Sequence, residues 1–277
     1  MKNDRIAIQG ELGSNSHMAA LAMLGEMEIV PCALSAEVFN RVVSGDVDGA
    51  VLPIENSLHG SVAEHYDLLL ERPVEVRAES MLRIRHCVIA TPGVRLEEVR
   101  RVMSHPVALS QCRRWLHAHP EIEVVPFYDT AGSVKRLMSD GLRDAAGIAP
   151  ELAARQYGAE ILVGGIEDHV ENFTRFYLLG REGGLGVKAP GEGVPDKMSL
   201  AFSLEHRPGT LVAALELLAA AGVNLTKIES RPVISHPWEY IFHVDVRFEN
   251  AGLADAAVEA MRRHCGRLKV LGRYRGA

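Results

Sequence analysis

The chain has 277 residues, 47% of them hydrophobic, enough for one large or two moderate domains with cores of their own. Thirty Lys and Arg stand against 36 Asp and Glu, a formal charge of -6, so the basic footprint of a nucleic-acid binder is missing and a small solute is the expected partner. Cys32, Cys87, Cys112 and Cys265 show no CxxC or Cys/His ligand spacing and read as reduced thiols. With no export signal and no apolar run near a membrane span, a cytoplasmic protein with no membrane attachment is expected.

Short apolar runs alternate with helical periodicity from the start, the pattern of an α/β sheet. Residues 5–9, 29–30 and 49–54 read as strands, and residues 16–24, 36–43 and 61–70 as helices. A break at Arg72-Pro73 closes this series. A second opens with a strand at 83–90, helices at 96–103 and 111–119, a strand at 122–127, a helix at 131–139 and strands at 145–149 and 173–179. Two series of similar length predict two α/β lobes rather than one continuous sheet.

Residues 181–196, REGGLGVKAPGEGVPD, hold five glycines and two prolines and predict a linker. The GGLG fragment lacks GxGxxG order, and no amphipathic helix follows it. Beyond the linker the order becomes β-α-β-β-α-β. Met198, Leu200, Phe202 and Leu204 alternate as a strand, and Leu211, Leu215 and Leu218 mark a helix that ends at Gly222. Residues 224–233 form a second strand, Tyr240 through Phe248 alternate as a third, Leu253, Ala257 and Met261 face inward from a second helix, and residues 268–275 close a ferredoxin-like sheet.

Chemistry concentrates where strands give way to helices: Gly10 to Ser16, Glu55 to Ser61, Ser104 to Gln111, and Asp129 to Ser133. These junctions are rich in small residues, hydroxyls and amides. Helix N-termini converging on one cleft suit a ligand carrying carboxylates, and ligands of open α/β sheets lie at the carboxyl ends of strands. Ser61-Val62-Ala63-Glu64 reads as a capping box, and Ser14 and Ser16 serve equally as caps or as ligand contacts. Glu55 and Asn56 have no helix of their own to cap, which leaves a surface turn or a site. Thr174 and Arg175 interrupt an apolar strand; alternation puts Thr174 and Phe176 on one face and Arg175 on the other. No GxSxG, Walker A or HExxH motif occurs. His117, His119 and Cys112 lie at the polar end of a helix and are not read as a metal site; His86 and His243 read as satisfied sheet histidines.

Taken in order, GELGSNSHMAA, PIENSLHGS, SHPVALSQC, DTAGSV and NFTRF resemble the motifs of prephenate dehydratases, and RPGTLVAALELLAAAGVNLTKIESRP resembles their regulatory ACT domain. The likeness spans residues 5–275. It implies an α/β fold: a two-lobed catalytic domain like the type II periplasmic binding proteins over 1–180, the linker at 181–196, and a ferredoxin-like βαββαβ ACT domain over 197–277. It further implies decarboxylative dehydration of prephenate to phenylpyruvate, carbon dioxide and water, with no metal or organic cofactor, inhibition by L-phenylalanine, and a homodimer or homotetramer.

By motif, Thr174 would bond to the departing hydroxyl and Glu55 would supply a proton or orient the hydroxyl network. Asn56, Ser14, Ser104, Gln111 and Thr130 would hold the carboxylates, Phe176 would form an apolar wall, and Ala131 and Arg175 complete the substrate-side set. For the effector the resemblance implies Pro208, Gly209, Thr210 and Leu211 at a helix start, Asn224, and Glu229 and Ser230 before Arg231-Pro232. The chain departs from the family at Thr210, where alanine is usual, and at Glu11 and Asn15, where proline and an aromatic residue are more frequent. Gly132 after Thr130-Ala131 resembles relatives that act on arogenate, the amino counterpart of prephenate. An arogenate dehydratase is the alternative within the class, and a non-catalytic amino-acid sensor the alternative outside it.

Overall fold

The computed structural model describes residues 4–184, 187, 193–233 and 236–277. They form two compact units: Met1–Ala63 with Ser80–Tyr177, and Glu64–Glu79 with Leu178–Ala277.

The first unit begins with β1 (Arg5–Gln9), α1 (Asn15–Leu24), β2 (Glu28–Cys32), α2 (Ser35–Ser44), β3 (Gly49–Asn56) and the two-residue β4 (Gly60–Ser61). Ile6, Ala7 and Ile8 are fully buried, so β1 reads as a continuous apolar run, as a parallel strand covered on both faces must. It pairs in parallel with β2 and β3. The chain then enters the second unit through α3 (Ala63–Glu71) and the first part of β5 (Val74–Arg83).

On its return it builds a second lobe from β6 (Cys87–Ala90), β7 (Arg101–Ser104), α4 (Pro106–Ser110), α5 (Arg113–Ala118), β8 (Glu123–Pro126) and α6 (Thr130–Asp140). β9 (Ala145–Ala149), α7 (Glu151–Tyr157) and β10 (Glu160–Gly164) complete it. Its sheet has the order β10-β6-β9-β7-β8. β11 (Phe173–Arg181) begins in the first lobe beside β3.

Several predicted elements need correction. The helix expected at 96–103 is a single 3-10 turn, Leu96–Glu98, followed by β7, because Val102 and Met103 are both buried in a two-faced sheet and give no helical stripe. The helix expected at 111–119 is α5, and Gln111 and Cys112 separate it from the short α4 before it. Pro106 sets the first helical position of α4, whose missing N–H costs nothing there. The strand expected at 83–90 is two strands, and Arg72-Pro73 leads into β5 rather than marking a lobe boundary. Ser61, expected in a capping box, lies in β4: β3 runs on through Glu55 and Asn56, which pair with Ser61 and Gly60, and α3 starts at Ala63. Helix α7 and strand β10 were not anticipated.

The second unit contains β12 (Lys197–Ser203), α8 (Thr210–Ala220), β13 (Asn224–Val233), β14 (His236–Arg247), α9 (Ala251–Arg262) and β15 (Arg267–Tyr274), the βαββαβ order expected. Its sheet runs β13-β14-β12-β15, and β5 joins β15 in parallel at Val76 and Gly272. Met198, Leu200, Phe202, Val244 and Val246 pack against Ala214, Leu218, Ala257, Val258 and Met261 of the two helices. Polar ties join α3 and β5 to this core. Arg231 holds Asp67 through two bonds of 2.9 and 2.8 Å, and Lys197 meets Glu79 at 2.7 Å with both side chains buried. The predicted linker and its GGLG fragment fall in part outside the described residues. Among the described residues no helix is long and apolar enough to cross a membrane.

Candidate active site

A cleft of about 570 Å³ opens within the first unit, lined from one side by residues of the β1, β2 and β3 lobe and from the other by residues of α4 and α6. The lobes touch closely at the turn after β1. Gly10 and Gly13 have φ of +94° and +85°, which favours glycine, and a Cβ on Gly10 would sit 2.5 Å from Asp129 Oδ2. Ser14 then caps α1 by accepting from His17 N–H at 3.4 Å. Of the sequence-derived set, Ser14, Asn56, Gln111, Thr130, Thr174 and Phe176 line this cleft.

Asn56 organises one wall. Its amide nitrogen donates to Asn172 Oδ1 at 2.8 Å, Phe173 carbonyl at 3.1 Å and Thr174 Oγ1 at 2.9 Å, and its oxygen accepts from the N–H groups of Leu58 (3.0 Å) and His59 (3.1 Å). Because Thr174 Oγ1 accepts from Asn56, the threonine keeps its own proton for another acceptor. Thr174 is buried and lies on the cleft face of β11 together with Phe176.

Four members of the set lie elsewhere. Arg175 faces away from Thr174, as strand alternation demands; it donates to Tyr177 Oη at 2.8 Å and lies over that ring. Glu55 follows it, with its carboxylate 3.9 Å from the Arg175 guanidinium, so neither reaches the cleft lining. Ser104 is fully buried and donates to the Ile148 carbonyl at 2.5 Å, tying β7 to β9. Ala131 is buried inside α6, one residue beyond the cleft-lining Thr130.

The cleft also holds residues that sequence reasoning passed over. His86, read as an ordinary sheet histidine, lines it and meets Gln111 Oε1 at 2.8 Å; burial lowers its pKa, so it stays neutral and donates from Nε2. The same glutamine reaches His59 Nδ1 at 3.1 Å, and His59 Nε2 reaches Ser110 Oγ at 3.0 Å, a bridge between the lobes. Gln111 therefore links two histidines and keeps a second amide proton. No local motif announces this, since the partners are 25 and 52 residues apart. A second bridge joins Glu11 to Tyr128 Oη and Lys135 Nζ, each at 2.8 Å. Burial, and then the bond to Glu11, pushes the Tyr128 hydroxyl up to about 12, and burial raises the Asp129 carboxyl although Gly132 N–H bonds to it.

In the second unit Gly209 caps α8, and the Thr210 hydroxyl lies 2.9 Å from the Glu205 carbonyl and 3.0 Å from that of Arg207. Its hydroxyl is thus engaged by backbone. Pro208 is exposed, and Leu211 packs on the core. Asn224 begins β13, Glu229 meets Lys227 at 3.4 Å, and Ser230 is exposed. Among the described residues no group of three or more His, Cys, Asp or Glu side chains is placed to hold a metal ion. His119 stacks on Trp115 instead.

Comparison with known proteins matches residues 6–184 to the prephenate dehydratase family and residues 198–262 to the ACT domain. An arogenate dehydratase/prephenate dehydratase of Arabidopsis thaliana is 42% identical over 98% of this chain and 72% of its own length. A bifunctional chorismate mutase/prephenate dehydratase of Stutzerimonas stutzeri is 36% identical over 98% and 73%. Among solved structures, a prephenate dehydratase from Arthrobacter aurescens in complex with L-Phe superposes with a TM-score of 0.87 at 30% identity, covering 98% of this chain and 89% of that one. The quorum-quenching acylase GqqA gives a TM-score of 0.87 at 32% identity, covering 99% and 98%. These relatives correct the expected cytoplasmic location, for three from Arabidopsis thaliana are chloroplastic proteins. With the catalytic family and the ACT domain matched in order along the sequence, this chain belongs to the prephenate dehydratase family and is a dehydratase of the prephenate and arogenate kind.

Proposed function

We propose that the cleft aromatises a 4-hydroxycyclohexadienyl carboxylate of the prephenate type, releasing carbon dioxide from one ring carbon and hydroxide from the opposite one. For prephenate the products are phenylpyruvate, carbon dioxide and hydroxide, the last becoming water when it takes up a proton. The observation that carries this reading is the Asn56–Thr174 pair. A buried threonine whose oxygen accepts from a fixed amide can donate its own proton to the departing hydroxyl, stabilising negative charge where it develops.

The remaining cleft features fit the substrate's form. Helices α1 and α6 both begin at the cleft; Asp129 caps the first turn of α6, while the N–H groups of Asn15 and Ser16 at the start of α1 have no intrahelical acceptor and suit a carboxylate. Phe176 offers an apolar face for the ring. In this reading Glu55 acts at a distance, through Arg175, and the proton-donor role assigned to it by motif passes to Thr174. The ACT domain is assigned L-phenylalanine as effector, supported by the Arthrobacter aurescens relative in complex with L-Phe. A homodimer or homotetramer belongs to the same proposal, and sedimentation with and without phenylalanine measures it.

The test is an endpoint assay of the full chain with prephenate and, separately, with arogenate, each with and without phenylalanine. Aromatic product from either substrate supports the reading, and slower turnover with phenylalanine supports the effector. No product from either would refute dehydratase activity.

A further inference from the structure

The charges around the cleft are an odd match for a ligand with two carboxylates. Among the described lining residues Lys135 is the one lysine or arginine, and Glu11 already holds it at 2.8 Å. Glu11 and Asp129 add two carboxyl groups to the same lining. They converge from opposite lobes: Glu11 accepts from Tyr128, the neighbour of Asp129 in sequence, and Gly10, the neighbour of Glu11, lies against the Asp129 carboxylate. A third acceptor lies at the same turn. Asn15, which also lines the cleft, has a buried side-chain oxygen with no hydrogen-bond partner. Acceptors gathered around a single engaged cation call for a ligand that brings a donor of its own.

Prephenate and arogenate differ at one place. The side chain of the first ends in a keto acid, an acceptor throughout; that of the second ends in an ammonium and a carboxylate on one carbon. A site for the second must set a carboxylate receptor and an ammonium receptor side by side. The start of α1 supplies that arrangement: Asn15 and Ser16 open the helix at the cleft, where first-turn N–H groups without an intrahelical acceptor suit a carboxylate, and Glu11 stands in the turn just before them.

We infer that Glu11 is a specificity-determining residue, accepting a hydrogen bond from the α-ammonium of arogenate beside the N-terminus of α1, so that the amino-bearing substrate is preferred over the keto acid. The inference rests on the dehydratase reading above. Lys135 then acts as the opposing element: it balances Glu11 when the ammonium is absent and competes with it when the ammonium arrives.

The experiment compares kcat and KM for arogenate and for prephenate in the full chain, in Glu11→Gln and in Lys135→Gln. The wild-type chain is expected to prefer arogenate. Glu11→Gln keeps an acceptor for Tyr128 but loses the charge; it should raise KM for arogenate by about tenfold, the lower end for a charge-assisted hydrogen bond, and leave that for prephenate unchanged or lower. Lys135→Gln should move the arogenate-to-prephenate ratio the other way. Opposite movement is what a strap merely holding the lobes together would not produce. A ratio unmoved by Glu11→Gln, equal losses on both substrates in both variants, or a wild-type preference for prephenate would overturn this inference alone. No turnover of either substrate by the wild-type chain would overturn the dehydratase reading and this one with it.

Discussion

Replacing Asn56 with aspartate keeps the shape and the oxygen that accepts from Leu58 and His59, but puts an acceptor where the amide nitrogen now donates. Three acceptors, Asn172 Oδ1, Phe173 carbonyl and Thr174 Oγ1, lie within 3.1 Å of that nitrogen and share its two protons. Two lost bonds at about 0.5–1.5 kcal/mol each cost about 1–3 kcal/mol, a fall in Tm of about 2–12 °C for a unit of this size. The kinetic effect should be larger. The new carboxylate would draw the Thr174 proton toward itself, turning the donor away from the cleft, and loss of one such donor typically lowers kcat by about 10²–10³. Phenylpyruvate or phenylalanine formation measures kcat and KM, and thermal denaturation measures Tm. A variant with kcat within about twofold of wild type, at a Tm already lowered as expected, would show that the direction of the Asn56–Thr174 bond is irrelevant to turnover.

Three further outcomes follow from buried charge. Lys197→Met leaves Glu79 buried without its lysine and should cost about 3–5 kcal/mol, most of it recovered in the double variant with Glu79→Gln; equal Tm in the single and double variants would contradict this. His243 is buried, with its pKa depressed to about 4 chiefly by desolvation, so its stabilising contribution is present above pH 6.5 and is lost as pH falls through about 4. His243→Leu should therefore flatten the Tm profile over that window, an effect of about 3 kcal/mol, and a profile parallel to wild type would contradict it. Asp129 has a raised pKa, so its contribution is favourable below its unfolded pKa and is lost as pH rises through the folded one; Asp129→Asn should gain more Tm at pH 7 than at pH 4.

Much of this architecture was readable in the sequence because its signals are local. The small apolar run at 145–149 and the strand at 224–233 have the boundaries expected from pattern, and the second unit keeps its βαββαβ order. Strand alternation also separated Thr174 and Phe176 from Arg175 correctly. Glu55 neighbours Asn56 in the motif, but only Asn56 is among the cleft-lining residues. Once β3 is seen to continue through both, successive strand residues face opposite sides, and only Asn56 turns to the cleft. Ser104 and the His59–Gln111–His86 bridge were beyond local reading for a different reason: their partners come from β9 and from the opposite lobe, and no spacing encodes them. The pairing of Glu11 with Lys135, 124 residues away, is of the same kind.

Whether the Thr174 hydroxyl assists departure of the ring hydroxyl is tested by Thr174→Val, which removes the hydroxyl with little change in volume. Turnover should be followed by the alkaline absorbance of phenylpyruvate from prephenate, alongside KM and Tm. The expected result is a kcat lower by about 100-fold or more with KM and Tm close to wild type. A valine variant that turns over as fast as the wild-type chain would contradict it.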